Sequence, residues 1–321
     1  MWYYVPEFAG DAPRWPFLFA GFSIIFYTNL DCLDGKQARR TKTSSPLGQL
    51  FDHGCDAIAL HVMLTFIQAA LNEPSWLLTG VASVTVYLPW MTSHWEEYHT
   101  GFLMYGDGNF GILEANYVLA AATLSSGIFG TWVWDYPLSG LVPALPYKWL
   151  VVKHVVIIFA TVVAVIQFYG QVRRVFSQSW DKLPASERGH KELGNGPRLR
   201  HLAYSLLLIV VGALYLSDSK LKPGQARLAT LLYGLVYATF ATQLIMDHMC
   251  KEPFKPPLVP LGLLGAAAAN SLAGLVDGRL MAAGCVALMG PYYLWYVTTI
   301  VGQICAFLGI KCLTITPKRG D

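Results

Sequence analysis

Apolar residues in this chain fall in long blocks separated by short polar breaks, and that patterning constrains the fold more than any other feature. Nine segments carry it: 15–30, 52–71, 76–92, 110–133, 149–170, 199–217, 225–247, 257–276 and 279–309. A helix of about 20 apolar residues spans the hydrocarbon core of a bilayer, and a helix satisfies its own backbone hydrogen bonds in lipid. Only 13% of the 321 residues are charged and mean hydropathy is +0.42, where a soluble domain carries about 25% charge. The fold expected is all-α: a polytopic integral membrane bundle of about nine transmembrane helices forming one domain over 1–321. A soluble enzyme, a secreted disulfide scaffold, a disordered chain and a nucleic-acid binder are excluded on the same grounds.

The distribution of Lys and Arg sets an orientation, because basic residues collect in cytosolic connections. Sixteen fall on one side, among them Lys36, Arg39, Arg40, Lys42, Lys251 and Lys255; six fall on the other, and Lys153 lies within a span. Nine spans then place the C-terminus in the cytosol and the first residue across the membrane. The connection 171–198 is expected to be a cytosolic basic loop that meets anionic lipid or sets topology. The opening stretch MWYYVPEFAGDAPRWP has no basic run ahead of an apolar core, so it is not a signal peptide; it reads like the middle of a loop. Six cysteines (Cys32, Cys55, Cys250, Cys285, Cys305, Cys312) form no C-x-x-C pair, so free thiols are expected.

One segment is too rich in charge for a chain of this kind. Asp31 and Asp34 are three apart at the cytosolic end of the first span, and Asp52 and Asp56 are four apart at the start of the second. Those spacings put side chains on one helix face, so two neighbouring antiparallel helices can present four carboxylates to each other. Carboxylates so close at membrane depth repel unless neutralised. Two divalent cations would do this, and oxygen-only donors favour Mg²⁺, Mn²⁺ or Ca²⁺ over zinc. Such a pair of ions suits phosphoryl transfer. Gly35, Ala38 and Gly48 keep the helix surfaces bare for a ligand, Arg39 can fork onto phosphate oxygens, and His53 can accept a proton from an attacking alcohol. The bland alternatives are ion pairing of the acids with Lys36, Arg39, Arg40 and Lys42, and a structural hydrogen bond for His53. An EF-hand is excluded by its register around Asp34-Gly35.

The whole pattern, D-x-x-D-G-x-x-A-R, eight residues, then G-x-x-x-D-x-x-x-D over 31–56, resembles the signature of the CDP-alcohol phosphotransferase family. The strings DGKQARRT and LFDHGCD resemble its eukaryotic choline/ethanolamine branch, with further likeness in SHWEEYHTG at 93–101, LIMDHM at 244–249 and ICAFLGIKCLTI at 304–315. The resemblance implies transfer of phosphocholine or phosphoethanolamine from CDP-choline or CDP-ethanolamine to diacylglycerol, releasing CMP. It implies that Asp31, Asp34, Asp52 and Asp56 hold two Mg²⁺ or Mn²⁺ ions, that Arg39 binds phosphate and that His53 takes the proton. It further implies a homodimer in the endoplasmic reticulum membrane, or the Golgi, with the site facing the cytosol. Two departures stand out. Gln49 occupies the position where relatives carry a Glu that raises the basicity of the histidine, so His53 is expected to be a weaker base here. Relatives also carry an amphipathic helix and a span before the motif helix, so the chain is expected to be short of its first span.

Other candidates are less specific. Trp95, Tyr98 and His99 beside Glu96 and Glu97 suit a quaternary ammonium through cation–π attraction, or form an interfacial aromatic belt. Glu114 and Asn116 can line a head-group or glycerol cavity, or bond helix to helix. Asp247 and His248 read as interfacial polar residues, and Asn270 as packing glue in a small-residue stretch suited to close helix approach. A proton- or metal-coupled transporter is the alternative use of intramembrane Asp and His; the absence of paired halves and the placement of the acids at one face favour the enzyme.

Overall fold

A computed structural model describes residues 3–5, 7–73, 76–104, 111–143, 147, 149–177, 194–218, 225–312 and 314. Their order of elements is α1 (Trp15–Thr41), α2 (Pro46–Ala70), α3 (Trp76–Thr100), α4 (Ile112–Phe129), a 3-10 turn (Thr131–Asp135), the single-turn α5 (Leu138–Leu141), α6 (Val152–Phe176), α7 (Asn195–Leu216), α8 (Gln225–Met249), α9 (Leu258–Ala273) and α10 (Gly278–Leu308). Long helices thus follow every apolar block, and the molecule is an all-helical membrane bundle. Within the described residues, seven helices are long and apolar enough to cross a membrane: α1, α2, α4, α6, α7, α8 and α10.

Of the nine expected spans, α3 and α9 fall outside this set by length and composition, for different reasons. α9 has 16 residues, or about 24 Å at 1.5 Å each, which falls short of the roughly 30 Å hydrocarbon core. α3 is 25 residues long but is diluted by Pro89, Thr92, Ser93, His94, Glu96, Glu97 and His99. Every residue from Met91 to Thr100 is buried, so these polar groups meet protein instead of lipid.

The largest change to the sequence reading concerns the expected polar connection between Asp31 and Phe51. α1 continues straight through the motif to Thr41, because Lys36, Gln37, Ala38, Arg39 and Arg40 are strong helix formers. It stops where Lys42 turns left-handed at φ 57°, its amide donating to Ala38 and Arg39 carbonyls. α2 starts four residues later, with Pro46 in its first turn and the Ser45 hydroxyl accepting from the Gly48 amide at 3.1 Å. At 27 residues α1 is about 40 Å long, so its motif end reaches beyond the bilayer core.

α1 lies along α4, α2 against α8, and α3 between α6 and α7. The α1–α4 approach is close at Gly127, where an added Cβ would come within 2.9 Å of the Leu18 backbone nitrogen. α8 is the hub, with 78% of its most apolar window buried, and its Tyr233, Tyr237 and Phe240 share one core with Tyr87 and Trp95 of α3. α3 and α6 are joined by polar groups: Gln171 donates to the Pro89 carbonyl at 3.0 Å, Thr92 donates to Gln171, and Arg174 forks onto Glu96. Asn270 does not glue helices together; both its amide atoms bond the Val276 backbone and clamp the α9–α10 turn. The basic connection is shorter than expected, since α6 runs to Phe176 and α7 begins at Asn195; its 178–193 lie outside the described residues. All six cysteines are free.

Candidate active site

The motif ends of α1 and α2 bring together three of the four expected carboxylates. One oxygen each of Asp31, Asp52 and Asp56 lies within 4.8 Å of the other two. The Tyr27 hydroxyl, one turn before Asp31 on α1, donates to Asp56 Oδ1 at 2.5 Å. Asp34 stands one turn further out and exposed, outside this cluster but on the wall of the same cavity. No lysine or arginine among the described residues forms an ion pair with any of the four, which removes the bland reading of interface salt bridges. A half-buried set of oxygen donors, offset among the described residues by a tyrosine hydroxyl and a histidine nitrogen at 3.8 Å, is the donor chemistry of a hard divalent cation.

A cavity of about 900 Å³ opens on the cluster, walled by Asp31, Asp34, Asp52, Gly48, Lys36 and Arg40. An apolar groove of about 1040 Å³ runs down the lipid-facing side of α1 and α2, past Phe19, Phe22, Phe26, Val62 and Phe66. The two share Tyr27 and Leu30. Thus one end of the site carries the charged side chains and the other opens to lipid, with Tyr27 and Leu30 at the junction next to the carboxylates.

The cationic wall differs from the expectation. Arg39 does not line the cavity: its guanidinium folds back over its own helix, 3.3 Å from where a Gly35 Cβ would stand. Gly35 and Ala38 lie half-buried beside it and off the cavity wall, whereas Gly48 is on it. Lys36 and Arg40 supply the charge instead, and Tyr27 was not anticipated either. Its signal was its place four residues before Asp31, on the same helix face.

His53 turns away from the cavity into the α2–α3 interface. It is 6% exposed, with Nε2 3.8 Å from Asp52 Oδ2, and its ring faces that of His94 with centroids 5.1 Å apart. Gln49, expected to orient it, is exposed; His53 Nδ1 is buried with no hydrogen-bond partner among the described residues. His94 and Glu97, whose Nδ1 and Oε2 are 3.2 Å apart, stand beside His53, and one ligand atom of each lies within 4.8 Å of one of His53.

The remaining candidates are structural. Trp95 and Tyr98 form neither a belt nor a head-group box: both are fully buried. Trp95 Nε1 donates to the Arg198 carbonyl at 3.1 Å, and the Tyr98 hydroxyl donates to the Glu252 carbonyl at 2.8 Å, tying α3 to the start of α7 and the segment after α8. Glu114 is exposed and caps its own helix, accepting from the Gly111 amide at 2.8 Å. Asp247 accepts from the Lys255 amide at 2.9 Å and holds the turn after α8. His248 is not an isolated surface group; its Nε2 lies 3.8 Å from Glu97 Oε1.

The comparisons with known proteins agree with this geometry. The family model for CDP-alcohol phosphatidyltransferase matches residues 5–126, which contain every carboxylate of the cluster. The chain is 30% identical to the uncharacterized CDP-alcohol phosphatidyltransferase class-I family protein 3 of Dictyostelium discoideum, covering 99% of this chain and 83% of that one. It is 29% identical to choline/ethanolaminephosphotransferase 1 of Arabidopsis thaliana over 98% of this chain and 82% of that one. With cholinephosphotransferase 1 of Mus musculus it shares 28% over 78% and 60%. The chain belongs to the CDP-alcohol phosphatidyltransferase family. It is a membrane transferase of phospholipid head groups, and the transporter alternative loses its ground.

Proposed function

We propose that the α1–α2 cavity receives the diphosphate of CDP-choline or CDP-ethanolamine, and that the groove below it receives diacylglycerol. The products are phosphatidylcholine, phosphatidylethanolamine or both, with CMP. The observation that carries this reading is the meeting of Asp31, Asp52 and Asp56 next to Tyr27, which walls both a cavity bearing charged side chains and a lipid-facing groove. A water-soluble donor and a lipid acceptor can each enter from its own solvent and meet at the carboxylates.

In this reading the acceptor hydroxyl oxygen bonds to the phosphorus bearing choline or ethanolamine. The bond from that phosphorus to the bridging oxygen breaks, and CMP leaves with the oxygen. Asp31, Asp34, Asp52 and Asp56 would hold two Mg²⁺ or Mn²⁺ ions. Bound there, such ions offset the diphosphate charge and the charge that grows on the leaving oxygen. Lys36 and Arg40 draw the diphosphate into the cavity, in the place expected for Arg39. Gly48 leaves the opposite wall open. Tyr27 holds Asp56 in place at the mouth of the groove. His53 is the proton acceptor in this reading, and it reaches the acceptor by turning its ring from the α2–α3 interface towards Asp52, whose Oδ2 lies 3.8 Å from its Nε2. The basic residues Lys36, Arg39, Arg40 and Lys42 at this end of α1 support a site that faces the cytosol; the membrane in this reading is that of the endoplasmic reticulum or Golgi, and the chain is a homodimer.

The test is CMP release by the purified chain in detergent with diacylglycerol and Mg²⁺, run side by side on CDP-choline and CDP-ethanolamine. Asp56→Asn should lower turnover by about 100-fold or more, the scale of losing a group that stabilises transition-state charge. EDTA should abolish turnover and Mg²⁺ or Mn²⁺ restore it. Wild-type rates in Asp56→Asn would remove the metal assignment.

A further inference from the structure

We propose that His53, His94 and Glu97 form a second metal site, selective for a transition-metal ion such as Zn²⁺ and distinct from the carboxylate cluster. The three are buried, at 6%, 4% and 7% exposure, and one ligand atom of each lies within 4.8 Å of the other two. They come from two helices: His53 from α2, and His94 and Glu97 from α3, three apart on one face. α8 adds His248, with Nε2 3.8 Å from Glu97 Oε1. Three imidazoles therefore surround one carboxylate in the interior of the bundle.

Packing alone does not account for this arrangement. His94 and Glu97 satisfy each other, but His53 Nδ1 and His248 Nδ1 are both buried with no hydrogen-bond partner among the described residues. An unmet buried polar atom costs about 1–3 kcal/mol, and the unmet nitrogen of His53, on a ring grouped with His94 and Glu97, points to a ligand. The donor set names the class. Imidazole nitrogens with a single carboxylate suit Zn²⁺, Co²⁺, Ni²⁺ or Cu²⁺, whereas the oxygen-only cluster on the far side of Asp52 suits Mg²⁺ or Mn²⁺. A tetrahedral ion with bonds of about 2.1 Å keeps its ligands about 3.4 Å apart. The His94–Glu97 pair at 3.2 Å already meets that spacing, and the remaining separations, within 4.8 Å, close by side-chain movements of up to about 1.4 Å. The functional consequence, which rests on the reading of His53 as proton acceptor, is inhibition: an ion held here ties up the His53 ring.

The test uses the full chain in detergent, stripped of metal and titrated with Co²⁺ as a spectroscopic probe and then with Zn²⁺. One equivalent of Co²⁺ should give the visible absorption of a tetrahedral N/O site, and Zn²⁺ should displace it. The absorption should vanish in His94→Ala and in Glu97→Gln and persist in Asp31→Asn and Asp56→Asn. His94→Cys guards against simple misfolding, because it should keep Co²⁺ and add a sulfur charge-transfer band. An absorption absent from the wild type, unchanged in His94→Ala, or lost on Asp56→Asn while surviving His94→Ala would overturn the site. In parallel, Zn²⁺ near stoichiometry should suppress CMP release by the wild type. Binding with the predicted variant pattern but without inhibition would uphold the site and remove His53 as the proton acceptor.

Discussion

Tyr27→Phe isolates one atom of the proposed site. The tyrosine hydroxyl donates to Asp56 Oδ1 at 2.5 Å, and its ring walls both the cavity and the groove. Phenylalanine keeps the ring and so the shape of both. What is lost is a hydrogen bond to a charged acceptor, worth about 1.5–3 kcal/mol, and with it the restraint on the Asp56 carboxylate. Losing a partner that orients a metal ligand typically weakens metal binding by about 10–100-fold, or about 1.4–2.8 kcal/mol. The two ranges overlap, so the hydrogen bond is large enough to account for the whole effect. The assay is CMP release against Mg²⁺ concentration with metal-stripped protein. The half-saturating Mg²⁺ concentration should rise by about 10–100-fold, while turnover at saturating Mg²⁺ stays close to wild type. An unchanged half-saturation point would refute the reasoning. So would a loss of turnover that no concentration of Mg²⁺ restores, since Tyr27 would then act on the reaction itself and not through Asp56.

Two further predictions concern the frame that holds the site. Glu96→Gln leaves Arg174 facing a neutral amide where it now forks onto a buried carboxylate. The expected loss is about 1.5–3 kcal/mol, the scale of hydrogen bonds to a charged group, read as a lower thermal midpoint in detergent; an unchanged midpoint would show that Arg174 repacks at no cost. Gly127→Leu places a branched side chain against the Leu18 backbone and pushes α1 off α4. Both the melting temperature and CMP release should fall, whereas Gly54→Ala, with open space around its position, should spare stability; equal destabilisation by the two would remove the close-packing argument.

Much of the fold was legible because lipid leaves few options. Long apolar blocks must become helices, and every block did. The motif was legible for a related reason: charge is costly in this solvent, so four aspartates in 26 residues stand out. What the local pattern could not resolve was whether a polar stretch is a loop or a helix leaving the membrane. Residues 31–41 have the charge of a loop and the propensity of a helix, and propensity won. Hydropathy also could not tell lipid-facing from protein-facing polarity. α3 carries two glutamates and two histidines within Ser93–Thr100 that look like an interfacial segment, yet every one is buried. The chemistry of Trp95, Tyr98 and Glu114 suits a head-group cavity as well as an interfacial belt or a contact between helices. Their hydrogen bonds to backbone atoms show the commoner use of such groups, which is to tie elements together.

The sequence by itself determined the solvent, the helical class and the family, since each is carried by composition, by spacing along one helix or by a contiguous motif. Tertiary structure decided which side chains share a space. It brought Asp56 to Asp31 across two helices, gave Asp56 its tyrosine, put Arg40 in place of Arg39 on the cavity wall, and turned His53 towards His94 and Glu97. Spacing along a helix fixes which face a side chain occupies. Only the rotation and crossing of one helix against the next decide what that face meets.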